Sequence, residues 1–538
     1  IPYGLWRLDQ ARSDGYLLLV EGESDCHTLW SCGIPALGLP GADSWTPDWA
    51  ELLQGLTLYA WKEPDEGGSR FVRSIGQCLP ELRVIAPPAG RKDASQCHVA
   101  GDDLPALVAQ LRREAQPWAE FHAAERLAQA ARAEAEAGAL IDSPDLLAEF
   151  AALCRQMGLV GEERNAQILL LVLTSRLLER PACAVVKGPS GGGKSFLVET
   201  VLKAFPAEAY YALSAMSERS LAYSREPLAH RTLVLYEAAG LSGGMGVYLL
   251  RSLVTEGHIR YETVEHTPKG LVPRLIEREG PTGIILTTTS VSLDPELETR
   301  LVSLTVRDDP EQTRAVFRAL AQRANGHAAK EADLAPWLAL QKWLQLAAPQ
   351  RVVVPYAALL AEESHPNAVR LRRDFGLVLC LVEAHALLHQ RRRETLGDAI
   401  VATVDDYRAV HGLVADLVRE GVLVAVSPAI RRTVEALVSL YHGTPVGLRA
   451  LAASLEMDVS SVSRRVKAAR RAGWILNLET RPSQPALLVP GDPLPQEVRV
   501  LPDPESLAGP LLPPPLSPSE NAATVQQSAS PGAGNVLS

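Results

Sequence analysis

Three features of the chain predict a multidomain α/β protein. Residues 16–93 alternate apolar strands with helices, Ala182–Phe205 reads as strand, glycine-rich loop and helix, and the last hundred residues turn first basic and helical, then rich in proline and serine. Continuous apolar strands separated by helices form parallel sheets covered on both faces. At 538 residues the chain is too long for one core. Six segments are expected: a sheet domain over 1–100, a helical connector over 101–180, a second α/β domain over 181–325, a helical region over 326–428, a helix–turn–helix module over 429–489 and a disordered tail over 490–538.

Composition is that of a globular protein, 47% hydrophobic and 22% charged. The longest apolar run, ILLLVL near residue 170, is far short of a membrane span, so no membrane partner is expected. Seven cysteines form no C-x-x-C pair, which argues against a zinc ribbon or redox pair and suits a reducing cytoplasm. Cys26-His27 and Cys97-His98 read as packing or surface residues. The net charge of −10 argues against nucleic acid covering the whole surface but leaves room for a local basic site.

In the first domain the strands are Tyr16–Gly22, Ala36–Leu39, Leu56–Lys62 and Leu82–Ala86. The helices are Ser24–Cys32, with Ser24 as N-cap, then Pro47–Leu53 and Arg70–Leu79. Ligands of such sheets bind at the carboxyl ends of the strands. Glu21 ends the first strand there, and Glu63 and Asp65 end the third. Acidic residues converging without nearby cationic partners in sequence point to a divalent metal, Mg²⁺ above all. The alternative is ordinary loop carboxylates that cap helices. Pro117 fits the first turn of a long helix, Trp118–Ala139, read as a solvated connector.

The second domain opens with an apolar strand, Ala182–Val186, and Gly188-Pro189-Ser190-Gly191-Gly192-Gly193-Lys194-Ser195, which fits G-x-x-x-x-G-K-[ST] at every fixed position. A helix, Phe196–Phe205, follows. Glycines let backbone N–H groups turn inward around phosphates, and the helix N-terminus adds its positive end. Lys194 would reach the β- and γ-phosphates of ATP, and the Ser195 hydroxyl would hold Mg²⁺. The strand Arg231–Tyr236 ends at Glu237, positioned to polarise the attacking water. Tyr236 stands where many such proteins carry an Asp. The strand Gly283–Thr289 ends in polar residues, of which Thr288 is the expected γ-phosphate sensor, with Thr287 and Thr289 close behind.

Near the C-terminus, helices Ile430–Tyr441, Leu448–Leu455 and Val459–Ala472 precede a strand-like Ile475–Leu478. Helix, helix, recognition helix and β wing is the layout of a winged helix–turn–helix. Between Arg431 and Arg481 nine Lys or Arg face four Asp or Glu. The third helix carries Arg464, Arg465, Lys467, Arg470 and Arg471, whose natural use is contact with DNA phosphates. A module that packs on a partner protein is the alternative. From Pro490 onward Pro, Ser, Gly and Ala dominate, a composition that builds no core.

Several of these stretches resemble known families. VEGESD at Val20–Asp25, GLPGA at Gly38–Ala42 and EPDEGG at Glu63–Gly68 resemble a Toprim domain, the metal-binding fold of bacterial primases, topoisomerases and some nucleases. The resemblance implies catalytic, metal-binding roles for Glu21, Glu63 and Asp65, with Glu63 replacing the family's first Asp. Lys92-Asp93 resembles the primase Lys-Asp turn and offers a third acidic position. The order P-loop, acidic strand end, inserted hairpin, polar strand end and arginine resembles an AAA+ ATPase of the helicase branch. That resemblance implies that Arg300, in Glu298-Thr299-Arg300, acts in trans on a neighbouring subunit's nucleotide, in a homo-oligomeric ring such as a hexamer.

Together VKGPSGGGKS, SAMSERSLAY, YEAAG, RSLVTEG and REGPTG resemble primase-helicase proteins of phages, plasmids and integrated elements, over about residues 1–310. The expectation is an ATP-driven DNA-translocating replication protein with a Toprim site for primer synthesis. The basic catalytic subdomain that a primase also needs would lie before Ile1. Two alternatives stand beside it: a Toprim nuclease with an ATPase motor, and a non-enzymatic, ATP-switched DNA-binding regulator.

Overall fold

The computed structural model describes residues 1–507 except 43, 238–243, 268–269, 290–293, 326–331, 348, 365–370, 425–427, 472, 480, 482–483, 493 and 495–499. The chain divides into two compact units, Ile1–Arg132 and Ala133–Ser538.

The first unit is built on a five-stranded sheet of β1 (Tyr16–Val20), β2 (Ala36–Gly38), β3 (Thr57–Trp61), β4 (Arg83–Ile85) and β5 (Gln116–Pro117), in the order β2-β1-β3-β4-β5. The first four strands are parallel, and β5 joins β4 antiparallel. Alternate residues bury on opposite faces. Leu17, Leu19, Leu37, Ala60 and Val84 pack on one side with Phe71, Ile75 and Trp118, while Leu18, Val20, Tyr59, Trp61 and Ile85 pack on the other with Leu29, Trp30 and Val108. Two buried faces account for the unbroken apolar strands. Each fully buried large side chain contributes roughly 1.5–3 kcal/mol.

Three expectations are corrected by this unit. Its compact body runs past residue 100, because the start of the supposed connector is core: Pro117 lies in β5, and Trp118 is 7% exposed at the head of the helix Trp118–Ala137. Ser24 is not an N-cap, since the helix Glu23–Ser31 starts one residue earlier, with Gly22 at its cap and no side-chain bond. The helix after β3 begins at Glu66 rather than Arg70, because the Asp65 side chain caps it by accepting the Gly68 N–H at 2.9 Å.

The second unit centres on a fully parallel sheet of β6 (Ala184–Lys187), β7 (Tyr210–Leu213), β8 (Arg231–Leu235), β11 (Thr282–Thr288) and β12 (Val302–Thr305), in the order β12-β6-β11-β8-β7. Between β8 and β11 the chain forms an antiparallel hairpin of two nine-residue strands, β9 (Ile259–Thr267) and β10 (Gly270–Arg278). The 326–428 region is not wholly helical, because β13 (Arg351–Val353), β14 (Thr395–Leu396) and β15 (Ala399–Val401) form a small sheet in it. Beside that sheet Asp406 is fully buried. Its carboxylate accepts from Arg393 Nε at 2.9 Å and the Thr403 N–H at 2.7 Å, and meets His385 Nδ1 at 2.6 Å. The basic run around Arg391–Arg393 thus serves packing in part.

Farther on, helices Pro428–Leu440, Leu448–Ser454 and Val459–Arg471 precede an antiparallel pair, β16 (Ile475–Asn477) and β17 (Leu488–Pro490), around Leu437, Leu451, Val462 and Val466. The tail expectation is corrected in part. Leu488–Pro490 is strand, and Val500–Leu507 docks with Val500, Leu501 and Leu507 buried and the Pro502 carbonyl accepting from Tyr407 at 2.8 Å. The LLPPPLSP stretch lies outside the described residues. Among the described residues no helix is long and apolar enough to cross a membrane.

Candidate nucleotide site and associated clusters

β6 lies between β12 and β11, so the loop leaving its carboxyl end opens at an interior position of the sheet, where α/β ligands bind. The helix after the loop is Lys194–Leu202, which puts Lys194 and Ser195 in its first turn rather than before it. Gly191 and Gly193 hold φ of +76° and +87°, left-handed values that L side chains rarely adopt, and Gly193 is the N-cap. Lys194 is 4% exposed and donates to the carbonyls of Gly188 (3.1 Å) and Pro189 (2.8 Å). Its side chain is thus folded over the loop with no carboxylate partner among the described residues. Ser195 is exposed at the loop's mouth.

Across the sheet, β8 ends just before Glu237, which is exposed and held at φ +56°. A non-glycine residue there is uncommon, and its backbone N–H is fixed by the Thr287 hydroxyl at 3.0 Å. Both threonines are fully buried; Thr287 touches the Glu237 backbone, and Thr288 is in register with Lys187. Burial first, then Glu199 and Tyr210, push the Tyr236 hydroxyl up to about 12. Arg300 follows the short helix Pro295–Glu298 and donates to the Glu296 carbonyl at 2.6 Å. The acids nearest it in sequence are engaged elsewhere: Glu298 with Lys187, and Glu296 with Arg251.

A cavity of about 620 Å³ flanks the glycine loop. Its far walls are Gly158–Val160 and the helix Pro310–Ala324, which presents Val316, Phe317 and Leu320. These wall residues escaped sequence reading. They lie some thirty residues before the motif and over a hundred after it, and only the fold joins them.

In the first unit, Glu21 follows β1, and Glu63 and Asp65 follow β3, at the carboxyl ends of two neighbouring interior strands. These acids have no cationic neighbour in sequence, but the fold supplies one, which counts against the divalent-metal expectation. Lys92, from the loop after β4, sets its Nζ 3.0 Å from Glu63 and 3.1 Å from Asp65. Asp93 is no third acid of the cluster, because it caps the helix Ala94–Val99 by accepting the Gln96 N–H at 2.7 Å. Burial, then Glu63 and Asp65, push the Glu21 carboxyl up, and its Oε1 is buried without a hydrogen-bond partner. Burial also raises Glu63, against Lys92, while the Gly68 N–H and Lys92 hold Asp65 low. Among the described residues no group of three or more His, Cys, Asp and Glu is arranged to hold a metal ion. With an ammonium between two of its three donors, this cluster does not fit Mg²⁺ as it stands.

On the helix Val459–Arg471, Val462, Val466 and Ala469 face the core. Arg464, Lys467, Arg470 and Arg471 are exposed and Arg465 is half-buried, so the basic residues form the outer face. Asp458 accepts the Ser461 N–H at 2.8 Å at the start of this helix.

No family model matches the chain. A curated relative, the Gene 57 protein of Mycobacterium phage D29, is 36% identical over 88 residues, 16% of this chain, and the match spans 58% of that protein's length. Among solved structures, a full-length MCM homolog from Methanopyrus kandleri overlaps 51% of this chain and 58% of its own, at 14% identity and a TM-score of 0.33. The active helicase Cch of SCCmec type IV overlaps 60% and 67%, at 12% identity and 0.30. NtrX from Brucella abortus in complex with ATP overlaps 84% and 98%, at 15% identity and 0.22. Overlaps this loose carry no weight for fold or activity.

Proposed function

We propose that the second unit binds and hydrolyses ATP and couples hydrolysis to movement on DNA, as a motor of replication in a mobile element. One observation carries the reading: Lys194 is folded, without a carboxylate partner among the described residues, into a glycine loop at a helix N-terminus beside a 620 Å³ cleft. That combination suits a triphosphate, whose charge meets N–H groups, a helix end and an ammonium together. Glu237 polarises the attacking water. The Ser195 hydroxyl would hold Mg²⁺, which supplies charge neutralisation on the phosphates when bound. Arg300 reaches a neighbouring copy's nucleotide in a closed ring, and the exposed basic face of a winged helix over 429–489 takes DNA phosphates. The first unit's resemblance implies metal-dependent phosphate chemistry such as primer synthesis, but the Lys92 ammonium occupies the space between two of the three acids it needs, so the reading rests on the second unit.

The test is DNA-stimulated ATP hydrolysis by the full chain. Glu237→Gln should retain ATP and lose turnover about a hundredfold or more, because only water activation is removed. Turnover at the unmodified rate would overturn the assignment. For the ring, Arg300→Ala subunits mixed with Lys194→Ala subunits should recover activity at interfaces that pair the intact halves. A monomer hydrolysing at full rate with ATP and DNA present would refute it.

A further inference from the structure

We infer that Glu162 is the positioning residue that holds the far wall of the nucleotide cleft, and that this wall, through Phe317, binds the nucleoside half of ATP. The inference rests on the proposal that the second unit binds ATP. Phe317 is 64% exposed, and Val316 and Leu320 beside it are also exposed, so one face of the helix Pro310–Ala324 offers apolar surface to the cleft. Flat apolar surface of this kind suits the face of a base.

That helix needs something to hold it opposite the glycine loop. The link is the strand end at Thr305 and the residues after it. The Val306 N–H donates to the Lys187 carbonyl at 2.9 Å, and Val306 fills the space that a Cβ on Gly188 would take, so this segment abuts the loop. One residue on, the Arg307 N–H donates to Glu162 Oε1 at 2.7 Å. The other Glu162 oxygen accepts from Asn165 Nδ2 at 2.6 Å, and the same amide reaches the Thr305 carbonyl at 3.1 Å. Gln312, in the first turn of the helix, donates to the Val160 carbonyl. Side-chain bonds thus tie 158–165 to 305–312 on both sides of the crossing.

Packing shares this work, since Leu159, Val306 and Gln312 are buried. Glu162 lines the 620 Å³ cleft and also a second cavity of about 510 Å³, so its bonds cross between two open spaces. Glu162 is 7% exposed, and burial raises its carboxyl against the donors that hold it. The Arg307 guanidinium points instead to Asp309, at 3.0 Å. A buried carboxylate that, among the described residues, is bound by a backbone N–H and an amide is costly unless its geometry matters.

The experiment compares binding of ATP with binding of inorganic tripolyphosphate, which has no nucleoside, to the full chain by calorimetry. Glu162→Ala should weaken ATP about tenfold or more and leave tripolyphosphate within about twofold. Glu162→Gln keeps the acceptor for Arg307 N–H but sets an NH2 against the Asn165 amide, so it should recover part of the ATP affinity. Phe317→Ala should reproduce the ATP-selective loss by about tenfold, as loss of one stacked ring does. If Glu162→Ala does not fold, Gln312→Ala and Phe317→Ala carry the same comparison. Equal loss of both ligands, or no loss of ATP, overturns the inference. Lys194→Ala separates it from the ATP proposal itself: that variant should lose both ligands, and if it keeps both the ATP assignment fails.

Discussion

Lys194 and Lys92 both stand beyond the carboxyl ends of parallel strands, yet one is bound by carbonyls and the other by carboxylates. Carbonyls fix an ammonium without neutralising it, so the P-loop keeps a full positive charge for an anion. The carboxylates of Glu63 and Asp65 cancel their lysine and leave the cluster still negative, because Glu21 adds a third carboxylate whose buried oxygen finds no donor. Like positions in like sheets therefore end in opposite electrostatic demands, set by what the neighbouring loop brings.

The largest effect that sharpens this contrast is Lys194→Ala, which should cut ATP hydrolysis at least about a hundredfold while leaving the thermal unfolding of the first unit unmoved. Next comes acid. His389 is stacked on His385, accepts the Leu146 N–H, and is pushed down to about 4 by burial first and by His385, with Arg393 and Asp406 also near. The unfolded chain therefore takes up this proton before the folded one does, so stability falls as pH drops from about 6.5 to about 4. The full loss is about 3 kcal/mol. Chemical denaturation across that range should show the slope in the second unit, and His389→Gln should flatten it; an unchanged slope would mean that other groups carry it.

A smaller effect separates the units from the other side. A Cβ on Gly76 would lie 2.3 Å from the Trp118 ring, so Gly76→Ala should destabilise the first unit by about 1–3 kcal/mol and spare ATP hydrolysis. Loss of hydrolysis would show that the units are not independent. The smallest change is Lys92→Met. It frees one buried carboxylate, Glu63, and one exposed one, Asp65, so Mn²⁺ titrated without nucleotide should bind measurably tighter, and adding Glu21→Gln should remove the gain. Tight Mn²⁺ binding by the unmodified chain would break the contrast.

Much of the scaffold was legible in the sequence. The apolar runs 16–20, 57–61, 184–187 and 231–235 are strands because both sheet faces bury them, and the fixed spacing from Gly188 to Ser195 declared the loop. The partners that complete each site were not legible. Lys92 meets Glu63 and Asp65, and Glu162 meets Arg307, only after strands far apart in the chain have paired. Trp118 read as the head of a solvated helix because an alanine-rich sequence hides one anchoring ring. Val500–Leu507 read as tail because a few buried side chains are invisible in a proline-rich composition.

That last segment changes how far the basic module can travel. The chain leaves the helix Val404–Val424 at its far end, builds the three helices and the β16–β17 pair, and comes back to Tyr407 and Arg408 near the same helix's beginning. A module held by one linker sweeps a sphere; one held at both ends of a single rod is confined to a short arc beside it. The basic face thus belongs to a stretch of chain that starts from one end of that helix and is followed by a segment bound back near its other end.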